Sequence, residues 1–177
     1  MTNAKKGLVI AGFAGVGKTT LAKKYKNVID IESSPYKWDY SNVDTTNLEN
    51  LKGTSNRVKN KDFPSNYINA IKQAQNQYDI VLVWIHPEEI LPEYDRAGID
   101  YVLCFPSIEA LDEYRARFEG RGNNEEYITK VLSSYDKRYI QFTTSPHQKM
   151  ELGVGQTLED KLIELGFKLN KIKDLNK

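Results

Sequence analysis

The stretch Gly12-Phe13-Ala14-Gly15-Val16-Gly17-Lys18-Thr19 fits G-x-x-x-x-G-K-[ST] at every defined position. Glycines at such spacing let successive backbone N–H groups turn inward around a phosphate, and a following helix adds the positive end of its dipole. Gly12, Ala14, Gly15, Val16 and Gly17 would form that cradle. Lys18 is placed to reach β- and γ-phosphates as a mobile point charge, Thr19 to complete a Mg²⁺ shell, and Thr20 to touch the α-phosphate. The alternative is a chance glycine-rich turn. Against it, the segment has the strand before and the helix after that a phosphate loop requires. The expected ligands are a nucleoside triphosphate and Mg²⁺. No guanine-selecting N-K-x-D occurs, so ATP is the expected nucleotide.

Two carboxylates follow closely, in Asp30-Ile31-Glu32-Ser33-Ser34. At the strand period of two, Asp30 and Glu32 project to the same side, at the carboxyl end of a strand, where open α/β sheets bind ligands. They can orient a metal-bound water, accept from a substrate hydroxyl, or act as a base; Asp30 is the candidate for both metal and acceptor. The bland reading is a pair of solvated strand-end acids. Arginine usage is uneven: of six arginines against nineteen lysines, Arg115, Arg117 and Arg121 fall together. Arginine's rigid fork suits phosphate oxygens and can neutralise charge on a phosphoryl group in transfer. They precede Gly122-Asn123-Asn124, a hinge signal, so residues 115–126 read as a lid that closes over the nucleotide and delivers arginines. Arg117 and Arg121, four apart, share a helix face. The competing reading is a basic helix face paired with Asp112, Glu113 and Glu119.

The elements that must position these groups alternate. Gly7–Ala11 is a short apolar run of the buried-strand kind, Gly17–Tyr25 a helix with Leu21 and Tyr25 on one face, and Val28–Glu32 a second strand. Residues 33–62 are polar and lack strong periodicity, yet carry Tyr36, Trp38 and Tyr40. A stretch that long is expected to be an insertion covering an acceptor rather than a plain connector. In it, Tyr36, Trp38 and Tyr40 are candidates to stack on a nucleobase and Arg57 to clasp its phosphate; packing of the aromatics onto the core is the alternative. From Pro64, the residues Tyr67, Ile68, Ile71 and Ala74 mark a helical face, with Phe63 and Tyr67 read as core. Ile80–Ile85 is the most apolar run and reads as a central strand. It ends at His86, where many phosphate-loop proteins carry an acid; His86 is either a phosphate contact or base, or a turn residue. Pro87–Ala97 reads as a short helix and Asp100–Phe105 as a strand burying Cys104. Ser107 is expected to cap a helix bearing Ile108, Leu111, Tyr114 and Phe118. Another helix begins with Tyr127, Ile128, Val131, Leu132 and Tyr135. His147–Leu152 reads as the fifth strand. Thr157 and Asp160 form a T-x-x-D cap before a helix with Leu158, Leu162 and Leu165. Strands alternating with helices imply α/β architecture: a three-layer fold with a five-stranded parallel sheet and helices on both faces.

At 177 residues the chain suits a single domain, residues 1–177. A net charge of +1 gives no global field for a nucleic-acid polymer or an anionic membrane, which argues against both as partners. A local patch around Lys59 and Lys61 is the one feature in favour of a nucleic-acid end as substrate. Lys5 and Lys6 before an apolar stretch imitate a signal peptide. That stretch runs into the glycine-rich loop and reads as a buried strand. One cysteine and the lack of a membrane-length apolar run point to a reducing, cytoplasmic setting.

GFAGVGKTT, the closely following VIDIESS and the R-x-R-x-x-x-R-G segment resemble the small P-loop kinases, the group of nucleoside monophosphate, shikimate and gluconate kinases. More narrowly, IESSPYKW, DFPSNY and EYRARFEGRGNNEEYI resemble kinase-like proteins of phages and prophages of Gram-positive bacteria. The resemblance implies ATP and Mg²⁺ as cofactors and a small-molecule phosphate acceptor. It gives Gly15, Gly17, Lys18, Thr19 and Thr20 the triphosphate, Asp30 the acceptor or metal side, and Arg117 and Arg121 the lid. The missing acid after IVLVWI departs from GTPases and motors, and leaves open a nucleotide-binding regulator with little turnover. Oligomeric state is not legible.

Overall fold

Three runs rich in branched apolar residues build the middle of one sheet: β1 (Leu8–Gly12), β5 (Ile80–Trp84) and β6 (Tyr101–Pro106). Val9, Ile10, Val81, Leu82, Val83, Leu103 and Cys104 are fully buried, as strands covered on both faces must be. The computed structural model describes residues 6–41 and 57–172. With β2 (Val28–Asp30) and β7 (Gln148–Leu152) at the edges, the sheet has the order β2-β5-β1-β6-β7, and every pairing is parallel. Helices lie between the strands, so the three-layer α/β fold expected from the alternation is the one observed. Ile80–Trp84 is interior, though β1 takes the middle place. A separate two-stranded antiparallel ribbon pairs β3 (Trp38–Asp39) with β4 (Val58–Lys59) inside the expected insertion. Residues 42–56 of that insertion lie outside the described residues.

Helix α1 (Lys18–Lys24) follows the glycine-rich loop, and α2 (Ser34–Lys37) is a single turn. Helix α3 (Ser65–Ala74) buries Tyr67, Ile68, Ile71 and Ala74, the face read from their spacing. Ile68 and Ile71 each contribute roughly 1.5–3 kcal/mol of burial, which helps hold α3 on the sheet. Helix α4 (Leu91–Arg96) stops before Gly98, whose φ of +65° turns the chain back toward β6.

The sequence reading needs correction in four places. Strand pairing of β2 ends at Asp30 rather than Glu32. Ser107 makes no side-chain cap; it precedes a 3-10 turn (Ile108–Ala110) that leads into α5 (Leu111–Gly120), and Ile108 is exposed. The helix expected from Tyr127 through Tyr135 is two, α6 (Glu125–Leu132) and α7 (Tyr135–Thr143), separated at Ser133-Ser134. Before α8 (Leu158–Glu164) the Thr157–Asp160 capping box forms as read, burying Leu158 and Leu162. Leu165 lies beyond the helix end and is exposed. Among the described residues, no helix is long and apolar enough to cross a membrane.

Candidate active site

The loop from Gly12 to Gly17 leaves β1 at the carboxyl edge of the sheet. Gly15 and Gly17 have φ of +89° and +102°, values that side chains resist, so the loop's curvature depends on both being glycine. No side chain caps the start of α1, which leaves its first N–H groups turned toward the loop. Val16 is fully buried, so its side chain belongs to the core and only its backbone can serve the cradle. Lys18 Nζ donates to Gly12 O at 2.8 Å and to Phe13 O at 3.1 Å. Burial lowers the Lys18 pKa from the ordinary lysine value, while nearby Asp30, Cys104 and Glu32 pull it back up.

Thr19 and Asp30 meet as their candidate roles require: Thr19 Oγ1 donates to Asp30 Oδ2 at 2.7 Å. The other carboxylate oxygen, Oδ1, is buried without a hydrogen-bond partner. An orphaned buried carboxylate oxygen beside a hydroxyl suits a hard cation such as Mg²⁺. The pair therefore fits the ion that phosphate loops use. Among the described residues no group of three or more His, Cys, Asp or Glu could hold a metal, so phosphate and water oxygens would complete any shell here.

A cleft of about 630 Å³ opens from this loop. Ala14, Gly15, Gly17, Lys18, Thr19 and Thr20 line it on the loop side, together with Asp30 and Glu32 from the end of β2 and just beyond. Trp38 and Arg57 from the insertion line it too, as does Arg121 from the turn between α5 and α6. Lys37, Trp84, Glu89, Lys130 and Arg138 complete the walls and were not singled out from sequence. Of the charged residues lining it, Lys18, Lys37, Arg57, Arg121, Lys130 and Arg138 outnumber Asp30, Glu32 and Glu89, six to three. The cleft concentrates positive charge in a chain whose net charge is only +1. The side chains of Arg121 and Arg138 make no hydrogen bond or ion pair with a described residue; burial lowers the Arg138 pKa, with Glu88 and Tyr127 opposing. Unpaired guanidinium groups in a partly enclosed cleft are donors suited to an anion.

At the wall away from the loop, cations lie on aromatic faces. The Arg57 guanidinium sits 4.2 Å from the Trp38 ring, with Nε buried and unpartnered. Lys37 Nζ lies 5.0 Å from Trp38 and 4.5 Å from Trp84 and donates to Glu89 Oε2 at 2.7 Å. Trp38 is thus already engaged by cations, and a base stacking on it would have to share the ring with them. Tyr36 is brought to a different place: its ring packs 5.4 Å from Tyr67 and does not line the cleft. The core-packing alternative describes it. His86 lines the cleft, and its Nδ1 accepts from Glu89 N at 3.2 Å, holding the turn after β5. Burial lowers its pKa, helped by Arg138 and Lys37.

The three clustered arginines separate. Arg115 pairs with Glu125 at 3.3 Å and Glu119 at 3.9 Å, outside the cleft lining. Arg117, expected at the transferring phosphoryl, is held on the outer side of the loop instead. It donates to Gly15 O at 2.9 Å and to Gln156 O at 3.4 Å, pairs with Glu113, and lies over the Tyr114 ring. Glu113 in turn accepts from Gly155 N at 2.7 Å. The geometry gives Arg117 the task of bracing the glycine loop, because backbone carbonyls from two segments and a neighbouring carboxylate engage both of its Nη nitrogens. Arg121 alone of the three reaches the cleft.

A scan against models of known protein families finds no match, and a search of curated proteins finds none either. Among solved structures, the chain is similar to the tunicamycin resistance protein of Deinococcus radiodurans, with 15% identity over 93% of this chain and 97% of that one, and a TM-score of 0.48.

Proposed function

We propose that this chain is an ATP-dependent phosphotransferase that moves the γ-phosphoryl group of Mg·ATP to a small acceptor, a nucleoside or deoxynucleoside monophosphate. The observation that carries the reading is a single cleft with two ends. A glycine loop, Lys18 and the Thr19–Asp30 pair stand at one end, and Arg57 and Lys37 at the other. Two anionic substrates would then meet near Asp30 and Glu32.

In this reading the loop N–H groups and Lys18 hold the triphosphate, and Lys18 exchanges its carbonyl partners for phosphate oxygens. Thr19 and Asp30 would hold Mg²⁺, which supplies charge neutralisation at the phosphates when bound. The nucleophile of a monophosphate acceptor is an oxygen of its own phosphate, which cationic groups hold and aim; any proton still on that phosphate can pass to Asp30 or Glu32. Arg121, and Arg138 opposite, stabilise charge on the transferring group, while Arg57 takes the acceptor's own phosphate. Catalysis is then positioning plus electrostatics, with no covalent intermediate on the protein. The protein would work in the cytoplasm, among the phage and prophage kinase-like proteins that its lid and insertion segments resemble.

The test is ADP release with Mg·ATP and a panel of nucleoside and deoxynucleoside monophosphates, with shikimate and gluconate as outgroups. Strong stimulation by one nucleotide supports the reading and names the acceptor. A second reading, a nucleotide-binding regulator with little turnover, is favoured by one observation: β5 runs out at Trp84-Ile85-His86 without the acid that many hydrolysing phosphate-loop proteins place there. Tight ATP binding with a flat panel would favour it.

A further inference from the structure

One rung of the sheet is not a backbone rung. In a parallel ladder, a residue whose N–H donates to Leu82 O accepts at its own carbonyl from the N–H of Trp84. Ile31 N does donate to Leu82 O, at 2.9 Å. Trp84 N, however, donates to the Tyr67 hydroxyl at 2.9 Å, and that hydroxyl donates to Ile31 O at 2.8 Å. A phenol from α3 therefore stands where one backbone bond belongs. It keeps β2 and β5 two hydrogen bonds apart where one would draw them together.

The wedge is fixed in place. Tyr67 is fully buried, and its ring lies against Tyr36, Phe63 and Tyr94 at 5.4, 6.2 and 6.5 Å. Burial raises its pKa far above the ordinary phenol value, so the proton it donates to Ile31 O stays on. Tyr94 OH donates to Trp84 O at 2.8 Å, so the backbone of Trp84 is held by tyrosines from two helices. Residues on both sides of the split line the cleft: Ile31 and Glu32 from the β2 side, Trp84, Ile85 and His86 from the β5 side. Tyr67 itself does not.

We infer that Tyr67 is a positioning residue that sets the width of the acceptor end of the cleft by holding β2 off β5 beyond Asp30. Acceptor specificity then depends on a side chain that never meets the acceptor. Removing the hydroxyl lets Ile31 O and Trp84 N–H pair directly, which draws Glu32 toward His86 and narrows the space. The glycine loop hangs from β1 and keeps its ATP contacts. The kinetic half of this inference rests on the phosphotransfer reading; the structural half does not.

The experiment compares Tyr67→Phe with Tyr94→Phe, which removes the neighbouring hydroxyl that borders Tyr67 and bonds Trp84 O but leaves the bridging phenol itself in place. Nuclear Overhauser contacts in isotope-labelled protein report the rung, and acceptor KM, kcat and calorimetric ATP affinity report the cleft. In the wild type, the Tyr67 hydroxyl proton should contact the Trp84 amide proton. In Tyr67→Phe, the Trp84 amide should gain contacts to backbone protons of Ile31 and Glu32. The acceptor KM should rise about tenfold or more with ATP affinity unchanged, and Tyr94→Phe should move neither. A direct Trp84–Ile31 pair in the wild type overturns the inference, whether or not the variants fold. So does an acceptor KM that Tyr67→Phe shifts no more than Tyr94→Phe. If the wild type phosphorylates none of the nucleoside monophosphates, the phosphotransfer reading falls, and the wedge is decided by the backbone contacts alone.

Discussion

Replacing Gly15 with alanine should destabilise the chain by an amount that separates into two parts. The first is backbone: φ is +89° at this position, and forcing an L side chain into left-handed space costs about 1–2 kcal/mol. The second is packing. A Cβ built there lies 3.1 Å from Tyr114 Cδ1 and Cε1 and 3.3 Å from Phe118 Cε1. Those rings are 1% and 0% exposed, so they cannot swing clear, and overpacking a closed site costs about 1–3 kcal/mol more. Gly17→Ala is the internal control. Its φ is +102°, but a Cβ there meets nothing within 4 Å, so only the first cost applies. At about 3 °C per kcal/mol for a chain of this size, Gly15→Ala should lower Tm by about 6–15 °C and Gly17→Ala by about 3–6 °C. Thermal unfolding followed by far-UV circular dichroism, the two variants side by side, reads the difference. Equal falls would refute the reasoning, because they would mean that Tyr114 and Phe118 yield and do not form a rigid outer wall for the loop.

Lys18→Ala should reduce phosphoryl transfer by about 10²- to 10³-fold, the scale of losing one preorganised donor at developing charge; ADP release at the wild-type rate would sink the mechanism. Arg121→Ala should lower kcat with ATP affinity little changed, whereas Arg117→Ala should weaken ATP binding measured by calorimetry, since it unbraces Gly15; the reverse pattern would exchange their roles. His86 has a folded pKa below its ordinary 6.5, so the unfolded chain takes up the proton first as pH falls. Its contribution to stability is therefore full above pH 6.5 and lost as the medium is acidified through the folded pKa. His86→Gln should flatten that part of the Tm–pH curve, and an unchanged curve would count against a half-buried neutral imidazole.

What was legible in the sequence is what local spacing dictates. The glycine loop, the α3 face of Tyr67, Ile68, Ile71 and Ala74, and the Thr157–Asp160 box each depend on residues a turn or two apart. The Thr19–Asp30 meeting was readable because the helix between them is short and the sheet fixes both ends. The far cleft wall was not readable. Lys37, Trp84 and Arg138 come from three separate elements, with Glu89 on the turn after β5, and topology assembles them, so no spacing connects the three. Arg117 misled in part for the same reason: its pair with Glu113 was the competing reading, but its other partners are backbone carbonyls of Gly15 and Gln156, groups every residue carries and no composition reveals. The end of β2 was misplaced by a side chain from another helix, since the hydroxyl of Tyr67 takes the rung that apolar alternation promised to the strand.

The chain has only two tryptophans, Trp38 and Trp84, and both line the cleft, one on the insertion and one on the sheet. Nearly all of the protein's indole fluorescence therefore originates at the wall opposite the glycine loop. Lys37 stands over both rings and Arg57 over one, so each fluorophore sits in the field of a cation that an incoming anion would draw away. The molecule is its own label-free sensor of that wall. Trp84→Phe leaves Trp38 as the sole indole emitter and assigns each change in indole emission to one side of the cleft.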